Sequence, residues 1–197
     1  MPKVAVKEST KALLIETGID IMAEKGYNNT GIAEVLARAG VPKGSFYYYF
    51  ESKEDFGLQI INTFDEKYVA EWNQVLYDSS LPPLERIAAY IDEIIRRSEA
   101  RQCGRGCLLA NLSQEMADQN ELFRQRLREI HLKRRDTYAG VLAEAQQLGQ
   151  ISARIDVVEM AEFFLCAWEG AIMRSKVQKD SKPLHIVRQM FFERLLA

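Results

Sequence analysis

The chain has 197 residues, 47% apolar and 27% charged, with a formal net charge of −2. That balance is the balance of a globular domain; it excludes disordered, collagen-like and linker-dominated classes, and no run of some 18 apolar residues is present to span a membrane. Charge is spread evenly: residues 1–57 hold seven Lys/Arg against eight Asp/Glu, so any hold on nucleic acid must come from a few placed cations and not from a basic coat. Three cysteines, an odd number, do not make a disulfide framework. Met1–Lys7 lacks the apolar core and cleavage site of a secretory leader, and a cytoplasmic protein is expected.

The apolar spacing is helical nearly throughout, and no segment alternates like a half-buried strand. Leu14, Gly18, Ile21 and Met22 predict an amphipathic helix over residues 10–25, stopped by Gly26. Ile32, Val35, Leu36 and Ala39 predict a short second helix with Thr30 as N-cap and Gly40 as its end. Pro42 then suits the start of a brief third helix, Lys43 to Tyr49. Ser52-Lys53-Glu54-Asp55 has the form of a capping box and opens a long helix reaching about residue 77.

After the loop Asp78–Pro83, Ile87, Ile91, Ile94 and Ile95 mark a helix to about Ala100. Cys103-Gly104-Arg105-Gly106-Cys107 is a glycine-rich connection, followed by a helix of about ten residues. A long helix carrying Phe123, Leu127, Ile130, Val141, Ala145 and Leu148 closes at Gly149. Asp156-Val157-Val158-Glu159 caps another helix, to about Gln178, and Pro183 starts the last. The expectation is an all-α chain of nine helices. A three-helix unit over 1–51 is joined by the long fourth helix to a larger body over 52–197. The eighth helix is apolar on two sides, so one side has to be covered by something other than its own core, and a two-fold bundle of the last two helices is expected to make a homodimer.

Two short helices meeting at Ala39-Gly40-Val41 form a helix-turn-helix, a weak signal alone because glycine turns between helices are common. The continuation is specific. Ala39-Gly40-Val41-Pro42-Lys43-Gly44-Ser45-Phe46-Tyr47-Tyr48-Tyr49-Phe50, then Ser52-Lys53-Glu54, with Glu24-Lys25-Gly26-Tyr27 and Thr30 upstream, resembles the DNA-binding signature of the TetR family of transcriptional repressors. The chemistry agrees with that resemblance. Gly44 lets a base or phosphate approach the backbone, Lys43 and Ser45 offer a cation and a small hydroxyl, and outward tyrosines suit phosphates and thymine methyls. The resemblance implies a homodimer on a partly palindromic double-stranded DNA operator, with Thr30, Lys43, Gly44, Ser45, Tyr47, Tyr48, Tyr49 and Lys53 at the DNA. Tyr49 stands where the family usually has histidine, and Gly18 where it usually has alanine.

Gly106-Cys107-Leu108-Leu109-Ala110-Asn111, with Trp168-Glu169-Gly170-Ala171 and Lys176 downstream, looks like the subgroup of electrophile-responsive, NemR-like and acrylate-type regulators. The resemblance makes Cys107 a reactive thiol, with Lys176 and Trp168 matching the same subgroup. From the residues alone, Cys107 near a helix start and two residues from Arg105 reads either as a favoured thiolate or as a small buried apolar group. Cys103 reads as a resolving thiol or an exposed bystander, Cys166 as core, and His131-Leu132-Lys133-Arg134-Arg135 as a solvated face. The aromatics Phe64, Tyr68, Trp72, Tyr90, Phe123, Tyr138, Phe164 and Trp168 read as core or as the lining of an effector pocket.

Neither a metal nor a cofactor is expected, since Cys-x₃-Cys lacks a second ligand pair. The sequence carries no glycine-rich phosphate loop, paired catalytic carboxylates or nucleophile–histidine set, so an enzyme is not expected. The competing readings are a repressor with a non-covalent apolar effector pocket and, more remotely, a helical enzyme or adaptor without DNA function.

Overall fold

A computed structural model describes residues 3–196, with side chains from Glu8 onward. Among the described residues there are nine α-helices and no strand: α1 (Lys3–Lys25), α2 (Ile32–Arg38), α3 (Phe46–Tyr49) after a 3₁₀ turn at Lys43–Ser45, α4 (Lys53–Leu76), α5 (Pro83–Ala100), α6 (Leu108–Met116), α7 (Glu121–Gln147), α8 (Val157–Gln178) and α9 (Lys182–Met190), which continues as a π-helical turn to Leu195. The chain forms two compact units, residues 1–67 with 108–127 and residues 68–107 with 128–197. The three-helix unit expected over 1–51 is thus grouped with the first half of α4 and with α6.

In the first unit, α1 starts two turns earlier than the periodicity predicts, since nothing between Lys3 and Thr10 breaks a helix. It stops where expected, at Gly26 with φ +82°. α2 ends in a Schellman motif: the Val41 N–H donates to Leu36 O at 2.9 Å and the Gly40 N–H to Ala37 O at 3.2 Å, with Gly40 at φ +67°. Leu14, Ile21, Met22, Val35, Leu36, Phe46, Phe50, Phe56 and Ile60 are buried. Gly18 fits this packing closely. A Cβ there would lie 2.4 Å from the Phe56 ring and 2.5 Å from Ile60. The Ser52 box holds: Asp55 N–H donates to Ser52 Oγ at 3.0 Å, and Asp55 Oδ2 accepts from the Glu51 N–H at 3.0 Å. The expectation that Thr30 caps α2 does not hold. Gly31 is the N-cap, without a side-chain bond, and Thr30 is buried with its hydroxyl donating to Gly26 O at 2.6 Å.

In the second unit, α5 turns Ile87, Tyr90, Ile91 and Ile95 inward, and Asp156 caps α8 by accepting from the Val158 and Glu159 N–H groups at 2.9 and 3.0 Å. The core joins Trp72, Tyr90, Tyr138, Phe164, Trp168 and Phe191. α8 buries Ala161, Phe164, Trp168 and Ala171 and leaves Phe163, Met173 and Val177 exposed, while α9 exposes Ile186 and Met190. Cys166 is exposed, not core as expected, because it falls in that outer stripe three residues from Phe163 and seven from Met173. No helix of the described residues is long and apolar enough to cross a membrane.

Candidate nucleic-acid interface and sensing residues

Pro42, in extended backbone, leads from the α2 turn into the Lys43–Ser45 turn that opens α3. Lys43 and Gly44 are exposed, and the Ser45 hydroxyl donates to Pro42 O at 2.5 Å, keeping its lone pairs for an outside donor. Phe46 and Phe50, rings 5.1 Å apart, anchor α3 from below. The three tyrosines divide: Tyr47 and Tyr48 are 71% and 63% exposed, and Tyr49 is half-buried. At Gly44 nothing lies within 4 Å of an added Cβ and φ is not positive, so nothing inside the chain requires glycine there. A bare backbone at that point leaves room for the close approach of another molecule.

Lys53 is half-buried. Its Nζ donates to Asn28 O at 3.3 Å and lies 4.5 Å from the centre of the Tyr27 ring, and burial lowers its pKa. Glu115, at the end of α6, accepts from the Tyr27 and Asn28 N–H groups, both at 2.8 Å. These contacts pin the turn that enters α2. Gly57 makes room for the Phe123 and Tyr27 rings, which would lie 2.5 and 2.8 Å from a Cβ there.

Cys107 ends a tight loop in which Gln102, Cys103 and Gly106 all have positive φ. Cys103 is buried, its sulfur 3.5 Å from the Ser98 hydroxyl, which removes it as an exposed bystander. Cys107 is half-buried, and it acts electrostatically on the buried Arg134 guanidinium. Arg134 does not belong to a solvated face, as the basic run suggests: it is 5% exposed, its guanidinium 4.0 Å from the centre of the Tyr68 ring and 5.7 Å from that of Trp72. Burial raises the Tyr68 phenol pKa, with Arg134 acting against that rise. Tyr90 and Tyr138 complete the aromatic wall, 5.8 and 5.6 Å from Trp72 between ring centres. Arg105 and Lys176 are half-buried, the latter in the last turn of α8. Trp168 is buried, stacked on Phe164 at 5.7 Å. The Cys166 thiol, though exposed, is pushed up by partial desolvation and by Glu162 and Glu169. Among the described residues no group of three or more His, Cys, Asp or Glu could hold a metal ion.

The model of bacterial regulatory proteins of the tetR family matches residues 14–60, and that of the tetracyclin repressor-like C-terminal domain matches residues 83–191. The chain belongs to the TetR family. The transcriptional regulator AcuR of Cereibacter sphaeroides is 38% identical over 178 residues, covering 90% of this chain and 81% of that protein. The HTH-type transcriptional repressor DhaR of a Mycobacterium species is 33% identical over 183 residues, 93% and 90% of the two chains. The crystal structure of Escherichia coli NemR in its reduced form superposes with a TM-score of 0.80 at 25% identity, covering 91% of this chain and 94% of that one.

This TetR-family chain is a transcriptional repressor and not an enzyme, and regulators of the family bind DNA and act as dimers. The residue the sequence reading missed is Arg134. The signal was present, for Ile130, Arg134 and Tyr138 repeat every four residues along the buried stripe of α7.

Proposed function

We propose that this TetR-family repressor holds a partly palindromic operator as a homodimer and releases it when a small electrophile or oxidant modifies Cys107. Residues 1–51 read the operator, and residues 52–197 sense and dimerise. The observation that carries the DNA half is the exposed Lys43–Gly44–Ser45 turn with Tyr47 and Tyr48 beside it, backed by buried Phe46 and Phe50. Lys43, Ser45 and the tyrosines suit phosphates and base edges, with Tyr49 and Lys53 at the rim, while buried Thr30 acts through the turn it stabilises. The exposed apolar stripe of α8 and α9 favours pairing of two copies, which sets half-sites about one or more helical turns, ~34 Å each, apart. Acting on an operator places the protein in the cytoplasm.

The thiol half rests on the half-buried Cys107 at the end of the tight loop before α6, and on a relative whose structure is described as its reduced form. Arg105 and Lys176 add positive charge to the same unit, and Trp168 supports its aromatic core. Cys107 is bonded to the first residue of α6, and Glu115 near the other end of that helix grips the turn into α2. Strain at Cys107 therefore has a covalent route to the operator-reading turn. A second reading, an effector bound without a covalent bond, is favoured by the aromatic wall of Tyr68, Trp72, Tyr90 and Tyr138.

Selection of genomic fragments by the purified protein tests the DNA half. The expected product is a shared inverted-repeat site, bound at least tenfold more weakly by Lys43→Ala and Tyr47→Ala at unchanged melting temperature. Equal affinity for unrelated duplexes contradicts it.

A further inference from the structure

Asp65 is a buried carboxylate with only one oxygen held. It is 3% exposed, its Oδ2 accepts from Arg126 Nη2 at 3.3 Å, and its Oδ1 meets no donor among the described residues. A buried carboxylate oxygen without a donor is costly. Arg126 shows where the missing donor went. Its Nε donates to Asn62 Oδ1 at 2.6 Å, so one guanidinium edge is split between a neutral amide and a carboxylate three residues further along α4. Elsewhere this chain sets that Nε/Nη2 edge on a single carboxylate: Arg96 on Glu93, Arg124 on Glu121 and Arg188 on Asp92. Two parallel N–H groups fit the two oxygens of one carboxylate. The same three side chains thus have a second arrangement, with the edge of Arg126 wholly on Asp65 and the half-buried Asn62 turned to water.

Contacts at the start of α7 hold the first arrangement. Asn120 Nδ2 donates to Glu54 Oε2, and the Phe123 ring meets the Tyr27 ring edge-on at 4.9 Å, in the space that Gly57 leaves. The contacts advance together, Glu54 with Asn120 and then Asn62 and Asp65 with Arg126, so α7 runs parallel to α4 here. Moving Arg126 toward Asp65 therefore draws Asn120 and Phe123 away from Tyr27 and the turn that enters α2.

We propose that Arg126 is a positioning residue for operator binding. Shared between Asn62 and Asp65, it holds the α1–α2 turn in the operator-binding form; bound to Asp65 alone, it draws α7 back and releases the operator. This rests on the operator binding proposed above and not on Cys107.

The test uses the full-length protein, with anisotropy of a selected operator duplex and hydrogen exchange of the free protein. Asn62→Ala leaves Arg126 to Asp65. It is expected to bind the operator at least fivefold more weakly and to exchange the amides of residues 27–30 and 120–127 faster. Asp65→Asn removes the competing charge and is expected to bind at least as tightly as wild type. The double variant is expected to regain most of the affinity that Asn62→Ala loses, whereas a merely structural cluster would lose affinity at each step. The proposal is overturned if Asp65→Asn binds more weakly than wild type, if Asn62→Ala binds equally well, or if exchange over 120–127 is unchanged in Asn62→Ala. If wild type selects no site, the operator reading falls and the exchange result alone decides for or against the two arrangements.

Discussion

Glu115 accepts hydrogen bonds from two successive backbone N–H groups, those of Tyr27 and Asn28, each at 2.8 Å. Gly26 beside these donors has little room for a Cβ, which would lie 2.4 Å from Glu115 Oε2. A carboxylate 87 residues away in sequence thus fixes the entry of α2. Glu115→Ala leaves both N–H groups to water or unpaired. It is expected to cost about 2 kcal/mol of stability and to weaken operator binding, because the turn that sets α2 loosens. Thermal melting and anisotropy on one sample check this; an unchanged melting temperature contradicts it.

The outer stripe of α8, with Phe163, Cys166, Met173 and Val177, has Gly170 in its middle, where an added Cβ meets nothing within 4 Å. Such a contiguous apolar surface marks a protein contact. Phe163→Asp or Met173→Asp is expected to convert the dimer to a monomer and to abolish tight operator binding. Light scattering at micromolar concentration is the measurement, and a dimer that survives both substitutions would remove this face from the interface.

Acid is expected to weaken the fold partly through two surface carboxylates. Hydrogen bonds from Arg96 and Arg97 hold Glu93, and those from Arg124 and Gln125 hold Glu121, at about 2 instead of 4.5. Their folded values lie below their unfolded ones, so the stabilisation is complete above about pH 4.5 and is lost as pH falls through about 2. Glu93→Gln is expected to melt slightly below wild type at pH 7 and level with it at pH 2. The gap is expected to shrink in high salt, since both groups face solvent. A gap that persists unchanged at pH 2 contradicts the assignment.

What the sequence disclosed was what neighbours in the chain decide. Gly40 forces the turn after α2, Asp156 caps α8 and Ser52 opens α4, all through bonds spanning two to five residues. Tertiary partners were hidden. Thr30 looks like a cap until Gly26 claims its hydroxyl, and Cys166 looks like core because its aromatic neighbours in sequence face different sides of α8. Arg134 was masked by the charged residues around it, although its four-residue spacing from Ile130 and Tyr138 puts it on the buried stripe. Gly18, a departure from the family's usual alanine, is explained only by the Phe56 and Ile60 side chains that press on it.

The most direct measurement is fluorescence anisotropy of an operator duplex before and after brief N-ethylmaleimide treatment. Both proteins carry Cys166→Ser so that the exposed thiol of α8 takes no label, and one also carries Cys107→Ser. Tight, salt-sensitive binding by both is expected, lost on treatment only where Cys107 is present. Loss in both proteins, or binding that withstands treatment in both, contradicts Cys107 as the sensor.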